Sequence, residues 1–202
     1  MKNKYVLTGE EYTQLEKDAL DLLIDYGFID FPIDVFKLAK VAFDVEFIKY
    51  SSLKREVLNK IKSYDSTKDG FTIFHHYSDK TIRYSIYYED SVNVYRQRYT
   101  IGHEIKHILY TEEEPTEKEE IAAEYFSKVL IAPKCKIIKK GYKRVETIVE
   151  KFGLSYEAST NHLKGINNRR NSYGNSLFDF ELDYFKRVKE IKKKNKLYKI
   201  DY

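Results

Sequence analysis

A chain of 202 residues suits one domain with appendages, or one domain plus a small second lobe, and 42% hydrophobic residues suffice for a core. A net charge of +4 does not by itself argue for a nucleic-acid partner, and the single cysteine, Cys135, excludes an internal disulfide. No stretch approaches the roughly 18 apolar residues that span a bilayer, and the first ten residues carry Lys2 and Lys4 with no apolar run behind them. They do not read as a secretory signal, so the expected compartment is cytoplasmic.

Along the chain, Leu15, Ala19, Leu22, Leu23 and Tyr26 recur at helical spacing and predict a helix over 10–27 that stops at Gly27. Pro32 is expected to open a second helix, with Val35, Phe36, Leu38, Ala39, Val41 and Ala42 as its apolar positions. Residues 44–49 read as a short strand, 52–63 as another helix and 65–70 as a turn. Residues 71–75 and 81–87 alternate, which predicts two strands joined by a hairpin turn at 77–80. Helices are expected over 92–110 and over 117–131, the latter stopping before Pro133. Two short helices, 143–152 and 155–164, flank Gly153-Leu154. The tail from 178 reads as a helix with a strongly basic face, since residues 186–199 hold eight Lys or Arg against Glu190 alone. The fold class is α+β, a small antiparallel sheet packed by helices. The expected division is a main domain over 1–135, a small helical segment over 136–170 and a basic tail over 171–202.

The chemistry concentrates in His103-Glu104-Ile105-Lys106-His107. Two histidines four apart on a helix share one face, so their imidazoles can meet at one zinc ion. The intervening Glu104 lies to one side, where it can take a proton from a water without ligating the metal. A catalytic zinc needs a third protein ligand. Glu120 is the candidate, 13 residues after His107 on a following helix, with Glu119 its nearest rival. Glu124, one turn on, can accept the second ring N–H of a ligand histidine. Ala122 and Ala123 would let that helix come close.

These residues, read in context, carry a resemblance. Arg96-Gln97-Arg98-Tyr99-Thr100-Ile101-Gly102-His103-Glu104-Ile105-Lys106-His107 resembles the active-site helix of the ImmA/IrrE family of metallo-endopeptidases. The stretch from Glu120 to Pro133 resembles that family's second signature. Residues 31–39 resemble its N-terminal Pro-Ile element, and residues 152–159 its Phe-x-Val-Ser element. The likeness covers about residues 10–170 in the same order. It implies a zincin-like core over 1–135, with zinc held by His103, His107 and Glu120 and Glu104 as general base. It also implies a substrate strand laid along a sheet edge, either 71–75 or 81–87, and a protein substrate that is a helix-turn-helix repressor of a mobile element, prophage or stress regulon. Two departures stand out: Glu124 where the family has Asn or Asp, and Lys106 in place of a common Gly.

Other residues are open to a second reading. His75 or His76 can stabilise an oxyanion or simply end a strand; Tyr84, Tyr87 and Tyr88 can also serve. Arg96 and Arg98 form ion pairs or bind a substrate carboxylate, and Cys135 reads as a buried, idle thiol. Residues 143–165 have the size of a helix-turn-helix whose second helix would present Asn161, His162, Lys164 and Arg169. With the basic tail it can contact phosphate, or it can pack on the core or recognise the substrate. The alternative function is therefore a non-catalytic partner- or DNA-binding module. Retention of both histidines, Glu104 and a well-spaced acid favours the enzyme.

Overall fold

The computed structural model describes residues 6–64 and 69–197. The contacts divide it into two compact units, one of residues 34–127 with residues 6 and 7, the other of residues 8–33 with residues 128 onward. Among the described residues no helix is long and apolar enough to cross a membrane.

The first unit begins with α2 (Val35–Phe43), which Asp34 caps by accepting a hydrogen bond from the Lys37 amide. Pro32 therefore lies ahead of this helix rather than opening it; a short acidic side chain satisfies an amide that proline cannot. Strand β1 (Glu46–Lys49), a 3₁₀ turn (Tyr50–Ser52) and α3 (Arg55–Tyr64) follow. Most of the turn expected at 65–70 lies outside the described residues. Strands β2 (Gly70–His76) and β3 (Ile82–Tyr88) form the expected antiparallel hairpin, closed by hydrogen bonds from the Tyr77 amide to the Thr81 carbonyl and from the Lys80 amide to the Tyr77 carbonyl.

The sheet order is β1-β3-β2, and β1 runs parallel to β3, so the sheet is mixed rather than wholly antiparallel. The reason lies in the connection. The 3₁₀ turn and α3 lie between β1 and the hairpin, and a connection of that length permits a parallel neighbour. As a consequence β3 is the central strand, and among the described residues β2 pairs with a strand along one edge alone.

The pairing Thr72↔Ile86 and Phe74↔Tyr84 puts these residues on one face, where α4 (Val94–Leu109) packs with Ile101, Ile105 and Ile108 buried. Gly70 lies on the same face. A Cβ there would sit 2.5 Å from the Thr100 methyl of α4 and 2.8 Å from the Tyr87 carbonyl, so only glycine lets the helix come this close. On the opposite face Phe71 stacks on Tyr87 with centroids 4.9 Å apart. The unit closes with α5 (Glu117–Ile131) as far as Ser127.

The second unit is helical. Helix α1 (Gly9–Asp25) starts at a capping box in which Thr8 and Glu11 satisfy each other's amides. It packs with α9 (Asp179–Leu197), and Leu20, Ile24, Ile29, Cys135 and Tyr184 form their shared core. Burial pushes the Cys135 thiol up, as suits an unreactive core residue. Helix α6 (Lys134–Lys139), not anticipated from the sequence, follows Pro133 and buries Ile137 and Ile138. Helices α7 (Val145–Phe152) and α8 (Tyr156–Tyr173) meet at Gly153, whose φ of 71° ends α7 in the left-handed region. Helix α8 runs nine residues past its expected end. Its polar stretch reads as loop, but Ile166 is buried and Arg169 donates two 2.6 Å bonds to Glu181 across the unit.

Of the four residues expected to face outward on α8, Asn161 and Lys164 are exposed, whereas His162 and Arg169 are not available. Arg169 is tied to Glu181, and His162 is buried with Nε2 donating to the Ala132 carbonyl at 2.7 Å. Burial dominates and lowers the His162 pKa to about 4, against 6.5 for the unperturbed ring. The fold therefore holds His162 neutral, while the unfolded chain takes up a proton below pH 6.5. Between those values stability falls as pH falls, by at most about 1.4 kcal/mol per pH unit. In His162→Gln, which keeps a donor for the Ala132 carbonyl but cannot titrate, urea-unfolding midpoints should fall less steeply than wild type between pH 6.5 and 4.

Candidate active site

Helix α4 is capped by Asn93, whose side chain accepts from the Arg96 amide, and it buries Glu104 and His107. Beyond Pro115, Thr116 starts α5. The Glu119 carboxylate turns back to accept from the Thr116 amide at 2.7 Å and hydroxyl at 2.8 Å. This arrangement is a capping box, and these hydrogen bonds hold the Glu119 carboxyl below its ordinary pKa. It employs Glu119 as a cap and leaves Glu120 facing α4.

Helices α4 and α5 approach closely at Gly102, where a Cβ would meet Ser127 Oγ at 2.6 Å. Ser127 Oγ donates to the Tyr99 carbonyl at 2.7 Å, and the Tyr99 hydroxyl donates to the Glu124 carbonyl at 2.9 Å. Burial raises the Tyr99 hydroxyl well above its usual range, so it stays a donor. Ala123 of α5 is fully buried.

This approach brings three groups that could hold a metal ion to one point. His103 Nε2 lies 2.9 Å from Glu120 Oε2 and 3.1 Å from His107 Nε2, and His107 Nε2 lies 3.8 Å from Glu120 Oε2. Two ligand atoms on a tetrahedral zinc with bonds near 2.0–2.1 Å sit about 3.3 Å apart. The three separations bracket that value. Two imidazole nitrogens and a carboxylate oxygen are also the donor set zinc prefers, so the residues present fit such an ion.

Glu104 is buried beside this cluster, and its Oε2 accepts from the Thr72 hydroxyl of β2 at 2.8 Å. The cluster opens on a cleft of about 550 Å³ lined also by Phe71, Thr72, Arg96 and Tyr99. Arg96 pairs with Asp69 at its mouth.

Several expectations change in detail. The carboxylate that meets the His107 ring is Glu112, with Nδ1 donating to its Oε2 at 2.8 Å, whereas Glu124 is exposed on the cleft wall. The loop after α4 folds back at Thr111, two residues past the helix end, a turn that helical spacing does not predict. His75 bonds Ser85 and His76 bonds Glu113. Neither lines the cleft, nor do Tyr84, Tyr87 and Tyr88, which pack on Phe74, Phe71 and Phe36. Burial lowers the Arg98 pKa against the opposing charge of Asp34. Thr72, Tyr99 and Glu112 escaped the sequence reading. The capping box at Thr116 and Glu119 was readable there and would have separated Glu119 from Glu120.

Two histidines on one helix, a glutamate from the next and a buried carboxylate thus meet beside a strand of the sheet. The family model of the IrrE N-terminal-like domain, peptidase family M78, matches residues 55–164, more than half of the chain, and the chain belongs to that family. No curated protein and no solved structure matches the chain.

Burial opposes charge on His107, but hydrogen bonds to Glu112 and Glu120 and the charges of Glu104 and Glu120 outweigh it and raise its pKa to about 9. Without metal the ring is protonated at pH 7, so a metal must displace that proton. Zinc affinity should rise about tenfold per pH unit from 7 to 9 and level off above. Calorimetry in buffers of different ionisation enthalpy should report about one more proton released at pH 7 than at pH 10. A metal ion supplied to this site should be lost in His107→Ala and Glu120→Ala and kept in Glu119→Ala, as read by metal content.

Proposed function

We propose that this chain is a zinc-dependent endopeptidase that cuts a specific protein partner. The observation that carries the reading is the convergence of His103, His107 and Glu120 with Glu104 buried alongside, beside the edge strand β2.

In this reading His103, His107 and Glu120 hold the ion, which when bound supplies Lewis acidity that lowers the pKa of water and polarises a carbonyl. Glu104 accepts a proton from the attacking water as its oxygen bonds to the scissile carbonyl carbon. It then passes that proton to the leaving amine as the C–N bond breaks. Thr72 donates to Glu104 Oε2, which fixes the carboxylate and leaves its other oxygen for the proton. The substrate lies extended along β2, pairing with its backbone groups on the edge away from β3. β3 cannot take that role because β1 and β2 occupy both of its edges. A helix-turn-helix repressor is the substrate that the family likeness suggests, which makes the protein an anti-repressor acting in the cytoplasm.

Co-expression with a helix-turn-helix repressor encoded nearby should yield one or two discrete fragments. Glu104→Gln should abolish them, with a loss of at least about 100-fold in rate, while zinc content stays near one per chain. Fragments that persist in Glu104→Gln would rule out this mechanism. Undiminished derepression without fragments would favour a binding module instead.

A further inference from the structure

We propose that Lys106 and Glu112 are positioning residues that together fix His107 as a metal ligand. The inference rests on the metal-site reading above and extends it to two residues with no assigned role.

The starting point is the end of α4. Thr111 adopts φ 56°, in the left-handed region, its amide donates to the Ile108 carbonyl, and the Glu112 amide donates to the His107 carbonyl at 2.9 Å. This is a Schellman turn, and it returns the chain to His107. Glu112 thus meets His107 twice, through its amide to the carbonyl and through its carboxylate to the ring. A carboxylate only accepts, so Nδ1 carries a proton and Nε2 is the nitrogen turned to His103 and Glu120. A β-branched residue in the left-handed region is unfavourable, so the turn is held by what it makes possible rather than by local preference.

Lys106 holds the other side of Glu112. Its side chain is only 2% exposed, and Nζ donates to both Glu112 oxygens at 2.5 and 2.6 Å and to the Glu119 carbonyl at 3.3 Å. All three ammonium donors are used. The third bond reaches the first turn of α5, next to Glu120. One buried lysine therefore ties the carboxylate that orients His107 to the helix that supplies the third ligand. A glycine or any short residue at 106 cannot make these bonds. Groups that orient a metal-bound imidazole typically change affinity by about 10–100-fold when removed.

A buried ion pair can also be merely structural, and the two roles separate in the double variant Lys106→Met/Glu112→Leu. Replacing both partners with apolar residues of similar size leaves neither a buried ammonium nor a buried carboxylate unpaired, while the His107 Nδ1–H loses its acceptor. The double variant should keep a cooperative thermal unfolding transition, yet bind Zn²⁺ about 10–100-fold more weakly in chelator competition. Its Co²⁺-loaded visible spectrum should also shift, because ring orientation at the ion changes. Glu112→Gln, which keeps an acceptor near His107 but releases Lys106, should weaken Zn²⁺ binding in the same direction. Glu114→Gln, at an exposed neighbour, should leave it unchanged. Wild-type Zn²⁺ affinity with an unaltered Co²⁺ spectrum in either Glu112 variant would overturn the positioning role and leave the metal site standing. Failure of the wild-type protein to bind Zn²⁺ or Co²⁺ would overturn both.

Discussion

At Gly102 a single methyl group separates the observed packing of α4 on α5 from a clash. A Cβ would stand 2.6 Å from Ser127 Oγ and 3.4 Å from Ser127 Cα. With hydrogen there instead, Ser127 reaches the Tyr99 carbonyl and Tyr99 reaches the Glu124 carbonyl, so the two helices are joined by hydrogen bonds. The 2.9 Å separation of His103 from Glu120 depends on this approach, because Glu120 lies on α5 two turns before Ser127. Widening the helices by the diameter of a methyl group would take the carboxylate out of reach of an ion held by both histidines.

The sheet side of α4 repeats the device. Gly70 admits Thr100 at a distance no side chain would allow, and two residues along the strand Thr72 reaches Glu104. A buried carboxylate is costly unless hydrogen-bonded. The hydroxyl from β2 supplies that bond while leaving Glu104 beside the cleft. Within two turns the same helix buries Glu104, Lys106 and His107, a concentration of charge that an ordinary helix avoids. Thr72, Glu112 and Glu120 come from three other segments to satisfy it. Such a cluster is poor value as a stability device, which is why it reads as a site.

The second unit obeys more familiar rules. Its buried Arg169–Glu181 pair and neutral His162 satisfy polar groups inside a helical core, and neither opens on a cleft with convergent donors. Their partners lie 12 and 30 residues away, so Arg169 and His162 are already engaged, while Asn161 and Lys164 stay exposed on α8.

Much was legible in the sequence because it depends on local spacing. The interval from His103 to His107 puts two imidazoles on one face of any helix, alternation over 71–75 and 81–87 makes a hairpin, and Pro133 ends α5. The runs 96–107 and 120–133 that carry the family likeness lie within residues 55–164, which the family model matches. Tertiary structure alone decided the rest. The contact of Glu112 with His107 depends on a left-handed residue at Thr111, and the placing of β2 rather than β3 at an edge depends on β1 pairing with the far side of β3. The grouping of α1 with α9 joins segments more than 150 residues apart. Spacing specifies which side chains share a face, but which faces meet is set by loop closure and by burial summed over the whole chain.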